Sequence, residues 1–264
     1  MATILDELAA YAKERTAKAM RERALSSLRA DAEAMPKGDF AFQAAIMKQA
    51  HGSPAFICEC KKASPSKGLI APEFPYLQIA QDYEQAGADC ISVLTEPRWF
   101  LGSDRYLQEI ASTVSIPCLR KDFTVDPYMI YEAKTLGASA VLLICSILDE
   151  AQLRDFHALA DELGLSALVE AHDAHEIETA AKIGARIIGV NNRNLKDFTV
   201  DTGHAARLRG LCPADTLFVV ESGIQTAADI AQARAAKADA VLIGETLMRA
   251  RDKTAMLRQL KGDS

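Results

Sequence analysis

Several segments of the chain carry charged residues just where an apolar run ends. In CECKKASPSKG (58–68), Glu59 and Lys61 stand two residues apart, immediately after Ala55-Phe56-Ile57. Burying both on a strand costs several kcal/mol unless they are paired or used. The pattern recurs with Lys121 in LRKDF, Glu170 in LVEAH, Asn191, Asn192 and Arg193 in VNNRNL, and Glu221 in VVESGI. Ammonium and carboxylate groups held together away from water can pass protons to and from a bound molecule. Glu59, Lys61, Lys121, Glu170 and Glu221 are therefore expected to form one desolvated charge network. Two further segments are suited to an anion. Ser222-Gly223 leads into the helical pattern TAADIAQAR, and Gly244-Glu245 opens ETLMRA. Free backbone N–H groups at helix starts are good phosphate donors, so the expected ligand is a phosphorylated small molecule.

Positioning these groups requires a common rim. Eight short runs rich in Val, Ile and Leu read as strands: AFICECK (55–61), ADCISVL (88–94), IPCLRK (116–121), SAVLLIC (139–145), SALVE (166–170), RIIGVN (186–191), TLFVVE (216–221) and DAVLIG (239–244). Nearly continuous apolar character is the mark of strands buried on both faces. Helical patterns such as PYLQIAQDYEQAG (75–87) and DEAQLRDFHALADELG (149–164) fill the gaps. Strand starts are 20 to 33 residues apart, the length of a βα unit. QAGADCISVL, LGASAVLLIC, IGARIIGVN and AKADAVLIG echo one another at every second unit. The expected fold is a (β/α)8 TIM barrel, with catalysis where strand ends meet their loops. A doubly wound sheet is the rival, but it usually has a Gly-rich first turn, and KKASPSKG lacks Gly-x-Gly. Residues 1–264 read as one barrel domain, with 1–50 an N-terminal helical extension broken into two segments at Pro36-Lys37-Gly38-Asp39.

Composition narrows the function. The chain has 264 residues, a net charge of −6 and a pI near 5.5, which argues against nucleic acid or an anionic membrane as partner. No apolar run approaches the roughly 20 residues of a membrane span. The N-terminal segment carries Asp6, Glu7, Glu14 and Glu22 and lacks a signal peptide's apolar core, so the expected compartment is the cytoplasm. Cys58, Cys60, Cys90, Cys118, Cys145 and Cys212 are expected to be reduced packing residues, five of them inside strands. His172 and His175 are expected at the surface with Asp173 as a helix cap, and His51, His157 and His204 have no neighbours at metal-like spacing. No Ser-His-Asp signature or Walker-type loop is present, and neither metal nor cofactor is expected.

These segments closely resemble the indole-3-glycerol-phosphate synthase family. CECKKASPSKG, VLTEPRWFLGS, LRKDFTVDPYMIYEAKTLGASAVLLI, LVEAHD, GVNNRNL, VVESGI and AVLIGETLMR follow the family's order from first strand to last helix, and the N-terminal helices fit its extension. The resemblance implies closure of an anthranilate-derived ribulose 5-phosphate to indole-3-glycerol phosphate, with loss of carbon dioxide and water. It implies Lys121 as general acid, Glu170 as general base, and Lys61, paired with Glu59, as a substrate contact that supplies a second proton. Asn191, Arg193 and Glu221 are similar to substrate-orienting groups, and Phe123 to part of the aromatic-ring pocket. Ser222, Gly223, Gly244 and Glu245 fall at the phosphate end, and Ser64 and Ser66 on a mobile first loop. Glu245 stands where some relatives have Ser and offers only its backbone N–H, while Cys58 and Cys60 read as packing variants. A monomer without an obligate protein partner is expected.

Attack of an aryl carbon on a ketone needs a proton at the carbonyl oxygen, and loss of water needs a base. Lysine, with an unperturbed pKa of about 10.4, is already charged at neutral pH. Glu59, Glu170 and Glu221 are expected to reinforce that charge, while burial and the lysines act in opposite directions on Glu170 and leave it ionised. Two alternatives stand beside this reading. A Schiff-base aldolase on the same barrel needs a neutral lysine in an apolar pocket, against which three carboxylates argue. A barrel that binds a sugar phosphate without turnover has no need of the full set of proton donors and acceptors.

Overall fold

Eight parallel strands close into a barrel: β1 (Ala55–Cys60), β2 (Cys90–Leu94), β3 (Cys118–Lys121), β4 (Ala140–Ile144), β5 (Ser166–Ala171), β6 (Ile187–Asn191), β7 (Leu217–Glu221) and β8 (Ala240–Ile243). Each pairs with the next, and β8 pairs back to β1 through Ala55↔Ala240 to Cys58↔Ile243. The computed structural model describes residues 3–48, 53–194 and 197–262; His51 lies outside them. Expected and observed strands agree to within a residue or two. Cys145, expected to end the fourth strand, instead begins a 3-10 turn, Cys145–Ile147. All six cysteines are free and buried.

Alternation along each strand divides the apolar residues between two layers. Ile57, Leu119, Leu142, Leu168, Ile187, Val219 and Leu242 fall in the interior cluster. Phe56, Cys58, Val141, Val169, Ile188, Val220 and Val241 fall in a second cluster with the surrounding helices. The same alternation turns Arg120 outward and Lys121 inward. Arg120 is fully buried and bonds Asp104, Glu132 and the Met129 carbonyl at 2.7, 2.7 and 2.9 Å.

The N-terminal region forms three helices where two segments were expected: α1 (Ile4–Glu22), α2 (Leu25–Ala34) and α3 (Ala41–Lys48). The additional break is at Arg23 and Ala24, both in extended conformation. It lets α1 and α2 bury different faces, Leu8, Ala12 and Thr16 on one and Leu28 and Ala32 on the other. Helix α3 caps the strand-start end, where the Gln43 N–H donates to Ser166 Oγ at 3.1 Å and Phe42 and Ile46 join the interior cluster. Each such buried side chain contributes about 1.5–3 kcal/mol. Helix α1 lies at the opposite end. Arg15 pairs with Asp122 at 2.6 Å, Tyr11 meets Trp99 edge-on at 5.5 Å, and Arg98 stacks over both rings.

Local signals account for the remaining helices. Helix α4 (Tyr76–Gln85) follows Pro75, and α5 (Asp104–Ala111) is capped by Ser103. Helix α6 (Pro127–Thr135) has Asp126 as N-cap and proline at its first position. Helix α7 (Glu150–Leu163) begins with an Asp149/Gln152 capping box and ends at left-handed Gly164. Helix α8 (Ala174–Lys182) is capped by Asp173, α9 (His204–Leu208) is short, and α10 (Ala227–Ala235) carries a Thr226/Asp229 box. Helices α11 (Glu245–Arg249) and α12 (Lys253–Lys261) follow β8. Among the described residues, no helix is long and apolar enough to cross a membrane.

Candidate active site

A cavity of about 700 Å³ opens at the carboxyl ends of the strands. Its walls include every residue singled out above for catalysis or substrate binding: Glu59, Lys61, Ser64, Ser66, Lys121, Phe123, Glu170, Asn191, Arg193, Glu221, Ser222, Gly223, Gly244 and Glu245.

Lys121 stands at the centre. Its Nζ is 3.1 Å from Glu170 Oε2 and 3.4 Å from Glu221 Oε2, with both glutamate side chains 2% exposed and the lysine 15%. Glu59 and Lys61 are side by side at 2.7 Å, because residues two apart on a strand share a face. Ser92, register partner of Glu59 on β2, sits 3.3 Å from its carboxylate. Asn191 reaches Glu170 Oε1 at 3.3 Å and accepts the Arg193 N–H at 3.0 Å. A Cβ at Gly189 would run into Glu221 Oε1, and one at Gly244 into Glu59 Oε1 and Lys61 Nζ. Glycine at both positions is thus what lets the carboxylates lie flat against the backbone.

Burial alone would neutralise each of these groups, so the outcome depends on partners. It draws the Lys121 ammonium down, but Glu170, Glu221 and Glu59 outweigh it and push it well above its usual range. Glu170 is raised by burial, yet Lys121 and His172 hold it far below an ordinary carboxyl. Glu221 goes the other way. Burial, only partly offset by Lys121 and reinforced by the charge of Glu170, raises it to about 8. Glu221 therefore holds its proton more tightly than Glu170 does, while its charge still reinforces the Lys121 ammonium, as expected. Its Oε1 is buried without a hydrogen-bond partner.

His172 is not the surface residue expected from the sequence. Its Nε2 lies 3.2 Å from Glu170 Oε1 and its Nδ1 3.1 Å from Glu176 Oε2. The signal was its position two residues after Glu170, on the same side of the strand. His175 is exposed, and Asp173 caps α8 as expected.

The two ends of the cavity differ. One is apolar, with Phe123 and Phe100 (ring centres 6.0 Å apart), Leu142 and Ile144, together with Ile4, Leu5 and Leu8 of α1. The contribution of α1 was missed, because its apolar residues read as packing for an amphipathic helix. The other end joins Ser222 and Gly223, both with positive φ (67° and 82°), to Gly244 and Glu245. There the Glu245 carboxylate meets Lys67 at 3.6 Å, Arg193 at 3.7 Å and Arg249 at 3.1 Å. Ser64 and Ser66 follow β1 in a short hairpin in which Ala63–Ser64 pairs antiparallel with Gly68–Leu69, and their hydroxyls are 3.4 Å apart. Among the described residues, no group of three or more His, Cys, Asp or Glu side chains is arranged to hold a metal ion.

Comparison with known proteins gives a consistent result. The sequence model of the family described as "Indole-3-glycerol phosphate synthase" matches residues 5–260. A protein of that name from Ruminiclostridium cellulolyticum is 55% identical over 262 residues, covering 99% of this chain and 100% of the relative. Another, from Endomicrobium trichonymphae, is 52% identical over 259 residues, covering 98% and 99%. Among solved structures, a 3-hexulose-6-phosphate synthase superposes with a TM-score of 0.64 at 14% identity, covering 79% of this chain and 99% of that one. A tryptophan synthase α-subunit from Pyrococcus furiosus superposes at 0.59 with 12% identity, covering 80% and 98%. At such identities these structures speak to the fold alone.

Proposed function

The chain belongs to the indole-3-glycerol phosphate synthase family, and on that premise we propose how its side chains divide the work of a decarboxylating ring closure in tryptophan biosynthesis. The substrate, an anthranilate-derived ribulose 5-phosphate, lies with its ring among Phe123, Phe100 and Leu8 and its phosphate against Ser222, Gly223, Gly244 and the N–H of Glu245. Lys121 donates a proton to the ketone oxygen as the aryl carbon bonds to the ketone carbon. The carboxylate leaves as carbon dioxide, and its electron pair restores the aromatic ring. The new hydroxyl then departs as water on a proton from Lys61, while Glu170 takes the proton whose loss forms the second ring's double bond.

The observation that carries this reading is Lys121 between two buried glutamates, 3.1 and 3.4 Å away. Those neighbours hold it as an ammonium, which suits a proton donor and disfavours the neutral amine of a Schiff-base aldolase. Lys61 lies 2.7 Å from Glu59. Glu221 and Asn191 orient the substrate hydroxyls, and Arg193 lies near the phosphate. Ser64 and Ser66 flank it from the hairpin after β1. The same reading takes the helical extension and barrel as one domain, because Ile4, Leu5 and Leu8 of α1 line the barrel cavity, in a cytoplasmic monomer.

Mixing the purified protein with the anthranilate-derived ribulose phosphate and following indole fluorescence tests the proposal. Turnover is expected in the wild type and is lost in folded Lys121→Ala. Trapping of the substrate on a lysine by borohydride would contradict it.

A further inference from the structure

Glu170 is held from the cavity side by Lys121 and Asn191, and from behind by a residue that does not line the cavity. That residue is His172, at the start of the loop after β5. Ala171, between them, turns into the outer layer, so residues 170 and 172 share the inner side. Both ends of the imidazole meet carboxylates: Nε2 lies 3.2 Å from Glu170 Oε1, and Nδ1 3.1 Å from Glu176 Oε2. Glu176 is fixed in turn. The same oxygen accepts the His172 backbone N–H at 2.7 Å, and the Glu176 N–H donates to Asp173 at 2.9 Å. His204 Nε2 is 2.8 Å from the His172 carbonyl oxygen, anchoring the backbone.

We propose that His172 is a positioning residue for the reaction, its ring bridging Glu176 and Glu170 so that the Glu170 carboxylate is kept charged and aimed at the substrate. The inference rests on Glu170 being the general base. Lys121 alone is a poor guardian of that charge, because it is shared with Glu221 and is the group proposed to give up its proton. As Lys121 turns neutral, a second cation 3.2 Å from Glu170 preserves its ionisation. The contact is an ion pair without hydrogen-bond alignment, for His172 Nε2 has no hydrogen-bond partner. It stabilises charge on the same oxygen that accepts the Asn191 amide at 3.3 Å, while Oε2 faces Lys121.

The groups facing this pair are few. Glu170 sees Lys121 from β3, Asn191 from β6, Glu221 from β7 and His172 itself. His172 sees Glu170 and Glu176, with Asp173 and the Cys145 thiol close to both, that thiol being pushed up to about 12 mainly by burial. Burial pulls the His172 imidazole down, but Glu170 and Glu176 raise it from 6.5 to about 10, so it is a cation throughout the neutral range.

Two measurements on the full chain test the inference. In His172→Asn, the acid limb of kcat/KM is expected to move up by about 1–3 pH units, the usual effect of losing one neighbouring cation. KM near neutrality should stay within about two-fold of wild type. A uniform fall in kcat at every pH, with the acid limb unmoved, overturns the inference. The second measurement needs no activity and survives poor folding of that variant: the His172 ring resonances are followed by NMR against pH. Titration near 10 in wild type, falling in Glu170→Gln, supports the bridge; titration near the ordinary 6.5 in both overturns it. Failure of the base reading is separately visible as normal kcat in Glu170→Gln, whatever the ring titration shows.

Discussion

Lys121 Nζ and Glu170 Oε2 are 3.1 Å apart, so the ends of β3 and β5 meet across the barrel mouth through one ion pair. Both side chains are fixed by strands, and each sets the protonation of the other. Lys121→Ala is expected to leave the fold intact and lower kcat by about 10²–10⁴, the usual worth of a general acid. Steady-state kinetics on the variant, with circular dichroism as the check on folding, decides this. Near-normal kcat would remove Lys121 from the chemistry.

Glu221 gives a prediction about stability. Its carboxyl rises from an ordinary 4.5 to about 8 on folding, chiefly through burial. Between those values the folded barrel holds a proton that the unfolded chain has lost, so this contribution is complete below about pH 4.5 and is lost as pH rises through 8. Glu221→Gln, which mimics the neutral acid, should lose less stability than wild type over that window. Urea midpoints compared at the two ends of it measure the difference. Equal slopes would mean that Glu221 is already ionised at neutral pH.

The apolar wall formed with α1 should contribute binding without chemistry. Leu8→Ala is expected to raise KM about ten-fold or more, in the range of lost apolar contact, while kcat changes little. A fall in kcat with unchanged KM would contradict that assignment.

Much of this was legible in the sequence because periodicity carries it. A strand of period 2 that ends in Glu59-Cys60-Lys61 sends both charged residues inward, and eight such strands on a common rim converge without any further information. What escaped the sequence depends on tertiary approach. Nothing local says that α1 returns over the cavity, since Leu8 has the same pattern in a packing helix as in a binding wall. His172 looked like the residue before a cap, and only the return of Glu176 toward it makes it part of the site. The protonation of Glu221 likewise follows from two carboxyls competing for one lysine, which needs their distances.

Activity is expected to be unchanged by a chelator, because no side-chain cluster among the described residues is arranged as a metal site. Loss of turnover with a chelator and its recovery with a divalent ion would overturn this.

The division of labour around Glu170 is tested most directly by a single turnover of Glu170→Gln, in which carbon dioxide and indole are followed together. Glutamine keeps the shape and hydrogen bonding but cannot accept a proton. Substrate should bind nearly as in wild type, with kcat lower by about 10²–10⁴. A base that acts in the dehydration lets carbon dioxide release run ahead of indole formation. Unchanged kcat with a much raised KM would contradict the account and leave Glu170 a binding residue.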